Sequence, residues 1–161
     1  MKKLLCYLLL ICAIPLSSCG NMDYSDNVRC SDIADSVKKV LSDGKEYERY
    51  GEEHIRYNFE NTDLHDDACI LYSADSTDIN EIGILHASRE ETVEDLAKNT
   101  EKYLRDIKVN QRAFIESYAP NEITKLDSSR IYIFGNYIVY TILPSSERDA
   151  AIEEIEKSLL K

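Results

Sequence analysis

The stretch that most constrains the fold is residues 88–120, whose pattern predicts one long amphipathic helix. Eight side chains recur every three or four residues, which places them on one side of a helix with 3.6 residues per turn. Ser88 and Glu91 have the spacing of a capping box, and Pro120 ends the helix because it has no N–H to donate. A helix of this length spans about 45 Å, so shorter segments must pack beside it. The eight positions are Val93, Leu96, Thr100, Leu104, Ile107, Gln111, Phe114 and Tyr118.

The first eighteen residues have the features of a signal peptide. Two lysines precede an apolar run over residues 4–16, which is shorter than the roughly 20 residues that a membrane-spanning helix needs. The run ends in Leu, Ser, Ser and Cys at residues 16–19, which resembles the bacterial lipobox. We therefore expect a mature lipoprotein that begins at Cys19 and is anchored by the acyl chains of a diacylglyceryl group, such as palmitate. The alternatives are an ordinary secretory cleavage that leaves Cys19 unmodified, and an uncleaved anchor.

The mature chain is long enough for one domain. Removing eighteen residues from 161 leaves 143, and the loss of Lys2 and Lys3 changes the formal charge from −11 to −13. We expect a tether over residues 19–30 and one domain over residues 31–161. The acidic charge argues against a nucleic-acid partner, because phosphates attract lysine and arginine. The expected location is the extracytoplasmic side of the cell membrane, where the protein is held by lipid.

Two cysteines, Cys30 and Cys69, remain in the mature chain besides the predicted lipidation residue Cys19. Outside the cytoplasm they could form a disulfide. Cys69 also opens an apolar run, and free cysteines are commonly buried as small hydrophobic residues. Both alternatives stay open.

The order of elements predicts an α+β fold. Ile33, Val37, Val40 and Leu41 form the stripe of a first helix that Gly44 ends, and a second helix is expected over residues 46–56. Apolar runs at residues 69–73 and 79–87 predict a hairpin before the long helix. After a connector over residues 122–129, runs at 130–134 and 137–143 flank Gly135 and Asn136 and predict a second hairpin, followed by a last helix. We expect a two-layer sandwich of an antiparallel sheet on these helices.

Alternation in the last hairpin gives it two different faces. A two-residue turn pairs Phe134 with Tyr137 and Tyr132 with Val139. One face is mainly aliphatic and suits the helical layer. The other carries Tyr132, Phe134 and Tyr137, which we predict as a binding surface because two layers leave this face uncovered. The competing hypothesis is that the N-terminal helices fold over it and make a second core.

The sequence contains no established catalytic motif. It has no Gly-rich phosphate loop, no CxxC, no HExxH and no Gly-x-Ser-x-Gly. Residues 63–67 concentrate carboxylates around His65, but their spacing matches no zinc or EF-hand pattern. His86 lies close to Ser88, whose hydroxyl is already expected to cap the helix. No catalytic residue, metal or cofactor is therefore predicted.

Residues 81–143 resemble a family of small bacterial lipoproteins, mostly Gram-positive, that is known only as a domain of unknown function. The residues that carry the resemblance are Glu81 and Ile82, Arg105 and Gln111, Tyr118 to Pro120, and Gly135 to Tyr137. Gly83 and His86 stand where more ordinary strand residues are expected. The resemblance implies an envelope location and an α+β domain, and it implies no activity or site.

These observations favour a lipid-anchored binding or protein-interaction module on the outer side of the membrane. The alternative is an envelope hydrolase with a carboxylate or histidine site that no motif shows. A homodimer formed through the last hairpin is a third possibility, and an envelope protein is a possible partner.

Overall fold

The structure is a computed structural model that describes residues 23–41, 44–59 and 63–161. The described residues form six helices and five strands, and short 3₁₀ turns at Glu90–Thr92 and Pro120–Glu122 precede two of the helices. The predicted signal peptide and the lipidation residue Cys19 lie outside the described residues. The elements are α1 Cys30–Leu41, β1 Tyr47–Arg49, α2 Glu52–Asn58, β2 His65–Ser73, β3 Glu81–Ala87, α3 Val93–Asn110, α4 Arg112–Tyr118, α5 Ile123–Asp127, β4 Arg130–Phe134, β5 Tyr137–Ile142 and α6 Ser145–Leu159.

The strands form one antiparallel sheet in the order β1-β2-β3-β5-β4. This confirms the α+β class and both predicted hairpins. In the second hairpin Phe134 pairs with Tyr137 and Tyr132 with Val139, as the two-residue turn requires. Gly135 has a φ of 57° in that turn, a backbone conformation that glycine adopts without steric cost.

Helices cover both faces of the sheet, so the domain has three layers and the predicted two-layer arrangement is incomplete. α1 and α6 pack together on one face, and α3 packs on the other. Each face therefore contributes to its own hydrophobic cluster. We call them the α1/α6 core and the α3 core.

The predicted long helix is two helices that meet at Gln111. α3 buries Leu96, Leu104 and Ile107 against the sheet, but the break changes which side of α4 faces inward. Ile115 is buried there, whereas Phe114 and Tyr118 of the predicted stripe are 63% and 75% exposed. The prediction assumed one continuous helical period, and it therefore assigns the wrong residues to the buried side beyond the break.

The helix also starts differently from the prediction. The Ser88 hydroxyl donates to the carbonyl oxygen of Asp63 at 2.6 Å instead of capping with Glu91. The Arg89 N–H donates to the Thr92 hydroxyl at 3.2 Å, and α3 begins at the next residue.

Two further segments differ from their sequence assignments. The first half of the expected helix over residues 46–56 is the edge strand β1, because Tyr47 to Arg49 pair with β2 and bury the Tyr47 ring. α2 follows it. The expected connector over residues 122–129 contains α5, whose Leu126 is fully buried.

Part of the predicted tether belongs to the folded domain. Tyr24 forms a β-bridge with Leu160, and its ring packs edge-on against Phe134 at 5.5 Å between centroids. The Tyr137 hydroxyl donates to the Val28 carbonyl at 2.7 Å and accepts from the Val28 N–H at 3.0 Å. Only residues 19–22 of the predicted tether lie outside the described structure.

Cys30 and Cys69 are free thiols in the α1/α6 core. Burial, together with the nearby Asp67, raises the pKa of Cys30. The structure therefore supports the alternative in which both cysteines act as small buried hydrophobic residues.

Candidate functional site

The predicted aromatic binding surface is buried. Phe134 and Tyr137 are only 7% and 1% exposed, and Tyr132 is partly buried beside them. The α1 and α6 helices and the segment around Tyr24 cover this face. The prediction that this face is uncovered is wrong. The structure has the competing arrangement, in which helices cover the face and form a second core.

His86 is held between two carboxylates. Its Nδ1 lies 2.6 Å from Asp66 Oδ1, and its Nε2 lies 3.0 Å from Asp26 Oδ1. Burial alone lowers the pKa of the imidazole, but the hydrogen bonds to Asp66 and Asp26 outweigh it and raise the pKa overall. Because both ring nitrogens are engaged and the Ser88 hydroxyl points to Asp63, His86 and Ser88 do not form a nucleophilic pair.

The acidic residues around His65 do not converge on one point. Asp66 contacts His86, whereas Asp67 accepts the Cys30 N–H at 2.7 Å. Burial lowers the pKa of His65, and its Nδ1 is buried without a hydrogen-bond partner. Within the part of the chain that the structure describes, no three ligand-type side chains are grouped to hold a metal ion.

A cleft of about 690 Å³ opens at the end of the sheet where β2 turns into β3. Its walls come from α2, from the β2–β3 turn and from the second half of α3. This volume lies in the range of roughly 300–1,000 Å³ that is usual for small-molecule sites. We call it the Glu81 cleft, after the buried acid in its wall.

Glu81 is the first residue of β3, and its side chain faces α3. The Tyr103 hydroxyl donates to Glu81 Oε1 at 2.8 Å, and the Tyr140 hydroxyl donates to the same oxygen at 2.7 Å. The residue is 7% exposed. No lysine or arginine of residues 23–41, 44–59 and 63–161 forms an ion pair with it, which is unusual for a buried acid.

Burial raises the pKa of Glu81, and hydrogen bonds from Tyr140, Tyr103 and Tyr50 offset part of this rise. Burial and the carboxyl charge together raise the pKa values of Tyr103 and Tyr140, so these phenols remain protonated donors. The group can therefore accept hydrogen bonds, pair with a cation or exchange a proton. Perturbed acids in clefts are frequent at functional sites.

Gly83 makes this arrangement possible. It is the cross-strand partner of Tyr140, whose ring lies directly over its Cα. The ring can lie flat across β3 because Gly83 has no side chain, and this brings the Tyr140 hydroxyl to Glu81. Gly83 is unusual for a strand on the sequence alone, whereas Glu81 was not predicted to be a site residue. An acid two residues before a glycine in an apolar strand was the available signal.

Stacked rings also line the cleft. The His54 ring stacks on Tyr50 at 3.5 Å between centroids, and Tyr50 stacks on Tyr72 at 4.2 Å. Burial lowers the pKa of His54, and its Nε2 is a buried atom without a hydrogen-bond partner. Tyr57 adds a ring that is 79% exposed.

Acidic side chains predominate at the mouth of the cleft. Asp75, Asp78 and Asp106 line it together with one lysine, Lys102. Lys102 contacts Asp106 at 2.8 Å, which offsets its charge. Asp78 pairs with Lys125 at 2.8 Å and with Lys45 at 3.5 Å, so Asp75 and Glu81 are the acids of the lining that form no ion pair within the described residues.

A comparison with protein families places these residues in a recognised domain. Residues 40–143 match the domain of unknown function DUF4358, and this range contains Glu81, Tyr103, Tyr140 and the stacked rings of the cleft. No curated protein and no solved structure shows significant similarity to the chain. Because the match covers more than half of its length, the chain belongs to the DUF4358 family.

Proposed function

We propose that this protein is a lipid-anchored, extracytoplasmic binding module that takes a small ligand into the Glu81 cleft. One observation carries the proposal. The cleft contains a buried carboxyl group without an ion-pair partner in the described chain, surrounded by tyrosine side chains. A purely structural core rarely keeps such a group, because burying an unpaired acid costs free energy.

The anchor is the second part of the proposal. It is supported by the lipobox-like order of residues 16–19 and by the resemblance to bacterial lipoproteins. Among the described residues, none of the helices combines the length and the apolar character needed to cross a bilayer. A lipidated Cys19 would be separated from Asp23 by residues 20–22 alone, and residues 19–22 span at most about 14 Å.

The positions of the anchor and the cleft are compatible with ligand capture. The N-terminal segment lies at the Gly135 end of the sheet, where Tyr24 contacts Phe134 and Asp26 contacts His86. Glu81 lies at the other end of β3, which has seven residues and is therefore about 20 Å long. A short anchor would hold the first end near the membrane and leave the cleft facing away from it.

A hydrolase that uses the same cleft is the alternative. Glu81 has a raised pKa, as a general acid requires, and His54 also lines the cleft. However, the carboxyl group is held by tyrosine hydroxyls and is paired with neither a nucleophile nor a second acid in the described structure. We therefore favour binding. A homodimer through the aromatic face of the last hairpin is not proposed, because this face is buried.

The binding proposal is tested by thermal melts of the full chain with a library of amino acids, amines, sugars, nucleosides and cell-wall fragments. A ligand at a hundred times its Kd stabilises the folded state by about 2.7 kcal/mol, which is a readily measured shift. Ser76→Trp places a large ring in the exposed lining of the cleft and should abolish the shift. Ser117→Trp is the matched control on the exposed side of α4 and should retain it.

Two results would overturn the proposal. One is a library in which no compound stabilises the wild-type protein. The other is a stabilising compound that acts equally on Ser76→Trp, because its site would then lie elsewhere. Conversion of a compound to hydrolysis products by the wild type, but not by Glu81→Gln, would support the hydrolase alternative in place of binding.

A further inference from the structure

We infer that the ligand of the Glu81 cleft is a small organic cation whose ammonium or guanidinium group pairs with the Glu81 carboxylate. This inference rests on the proposed function, since it names the chemistry of the molecule that the cleft binds. It follows from the acid, the aromatic wall and the charge of the mouth, which are independent features of the cleft.

The first argument is the unused capacity of the buried acid. A carboxylate offers about four lone-pair positions to donors. Tyr103 and Tyr140 both donate to Oε1. These neutral hydroxyls supply donors but no positive charge. A ligand cation would supply the charge, and a hydrogen bond between charged groups is about twice as strong as one between neutral groups.

The second argument is the aromatic wall. Tyr50 is stacked between His54 and Tyr72, so its own faces are covered, whereas the Tyr57 ring lines the cleft and is 79% exposed. Cations are attracted to the faces of aromatic rings, and more strongly where water is excluded. The neighbouring His54 has a lowered pKa because it is buried, so its neutral imidazole does not repel a cation.

The third argument is selection by charge at the entrance. Asp106 is paired with Lys102, and Asp78 is paired with Lys125 and Lys45, so the negative charge that disfavours an anion comes from Asp75 at the mouth and Glu81 in the wall. A neutral sugar could stack on the rings, but it would leave the Glu81 charge uncompensated. An organic cation would pair with the Glu81 carboxylate, contact the aromatic rings and be attracted by the negative charge at the mouth.

The test is isothermal titration of the full chain with cadaverine and agmatine, which carry ammonium and guanidinium groups. 1,5-Pentanediol is the neutral isostere of cadaverine and should bind at least tenfold more weakly. Glu81→Gln keeps the shape of the side chain and should lower the affinity for both cations by at least tenfold. A capped Gly-Lys-Gly peptide as a third probe distinguishes a free amine from a lysine side chain as the source of the cation.

Tyr57→Ser keeps the test valid if Glu81→Gln proves unstable, because the Tyr57 ring is largely exposed and can be removed without opening the core. It should weaken cation binding several-fold at an unchanged melting temperature. Binding should also weaken as the pH falls, because Glu81 becomes protonated and its pKa is already raised.

The inference is overturned if neither cation binds to the wild type, or if both bind equally to Glu81→Gln and Tyr57→Ser. A neutral sugar that binds in the cleft while both cations fail would overturn this inference and leave the proposed binding function intact. Loss of all binding in the library experiment, in contrast, would remove the proposed function itself.

Discussion

The ring of Tyr140 occupies the space in which any residue other than glycine at position 83 would place its side chain. A Cβ atom on Gly83 would lie 1.9 Å from Cε1 of Tyr140, far inside van der Waals contact. The two residues are direct cross-strand partners at the centre of the sheet. The tyrosine therefore lies flat over β3, and its hydroxyl reaches Glu81.

Gly83→Ala should consequently destabilise the domain and disturb the cleft. Forcing one extra methyl group into a packed core typically costs about 1–3 kcal/mol, and here the Tyr140 ring must also move away from Glu81. Chemical denaturation should show the loss of stability. Gly51→Ala is the matched control, since a Cβ there meets nothing within 4 Å. Equal stability of the two variants would contradict the close packing of Gly83 and Tyr140.

Local patterns predicted the elements whose determinants are close in sequence. The Gly135 and Asn136 turn specified the second hairpin and its register, and alternation then correctly separated the two faces of β5. Gly44, with a φ of 84°, follows α1 as expected of a helix-ending glycine.

The elements that were missed depend on contacts between distant residues. β1 is a strand only because β2 pairs with it, and the aromatic face is buried because α1 and α6 come together over it. The Glu81 cluster joins residues that are 22 and 59 positions apart. The periodicity of a sequence segment contains no information about such long-range contacts. Gly83 is the one residue of the site whose identity was informative in isolation, because strands seldom keep a glycine without a close neighbour.

The buried aromatic face gives a sharp comparison between two residues of one hairpin. Tyr137 is 1% exposed and its hydroxyl makes two hydrogen bonds to Val28, whereas Ile133 is 53% exposed. Tyr137→Ser should cost about 3–5 kcal/mol, and Ile133→Ser should cost clearly less. Urea denaturation of both variants measures the difference. An uncovered aromatic face would give the opposite order.

The break at Gln111 can be tested with two matched charges. Leu104→Asp buries an unpaired carboxylate in the α3 core and should cost several kcal/mol, enough to unfold much of a marginally stable domain. Phe114→Asp places the same group on a side chain that is 63% exposed and should change the melting temperature little. One continuous helix with a single apolar stripe would make the two variants equally damaging.

The anchor is tested at Cys19. Fatty-acid labelling of growing cells should tag the wild type, because acylation at this residue is the proposed membrane attachment. Cys19→Ala should abolish the label and release the protein from the membrane fraction. Cys30→Ala is the control, since its thiol is buried in the domain and should not affect labelling. A label that persists in Cys19→Ala would rule out this residue as the anchor.

The last prediction concerns the contact between Asp26, His86 and Asp66, which joins the N-terminal segment to the sheet. The pKa of His86 is raised above its ordinary value of 6.5 in the folded protein. Its stabilising contribution is therefore complete below that value and is lost as the pH rises through the raised pKa. The melting temperature of the wild type should exceed that of His86→Gln most at acidic pH, and this difference should shrink as the pH rises.

His54→Gln is the internal control for the direction of this effect. Burial lowers the pKa of His54, so its neutral form is favoured in the folded state and its contribution is lost as the pH falls. The melting-temperature differences of the two variants from wild type should therefore change in opposite directions with pH. Asp66→Asn should reproduce the behaviour of His86→Gln, because it removes the shorter of the two hydrogen bonds that hold the imidazolium. A difference between wild type and His86→Gln that grows with pH would show that this imidazole is neutral in the folded state.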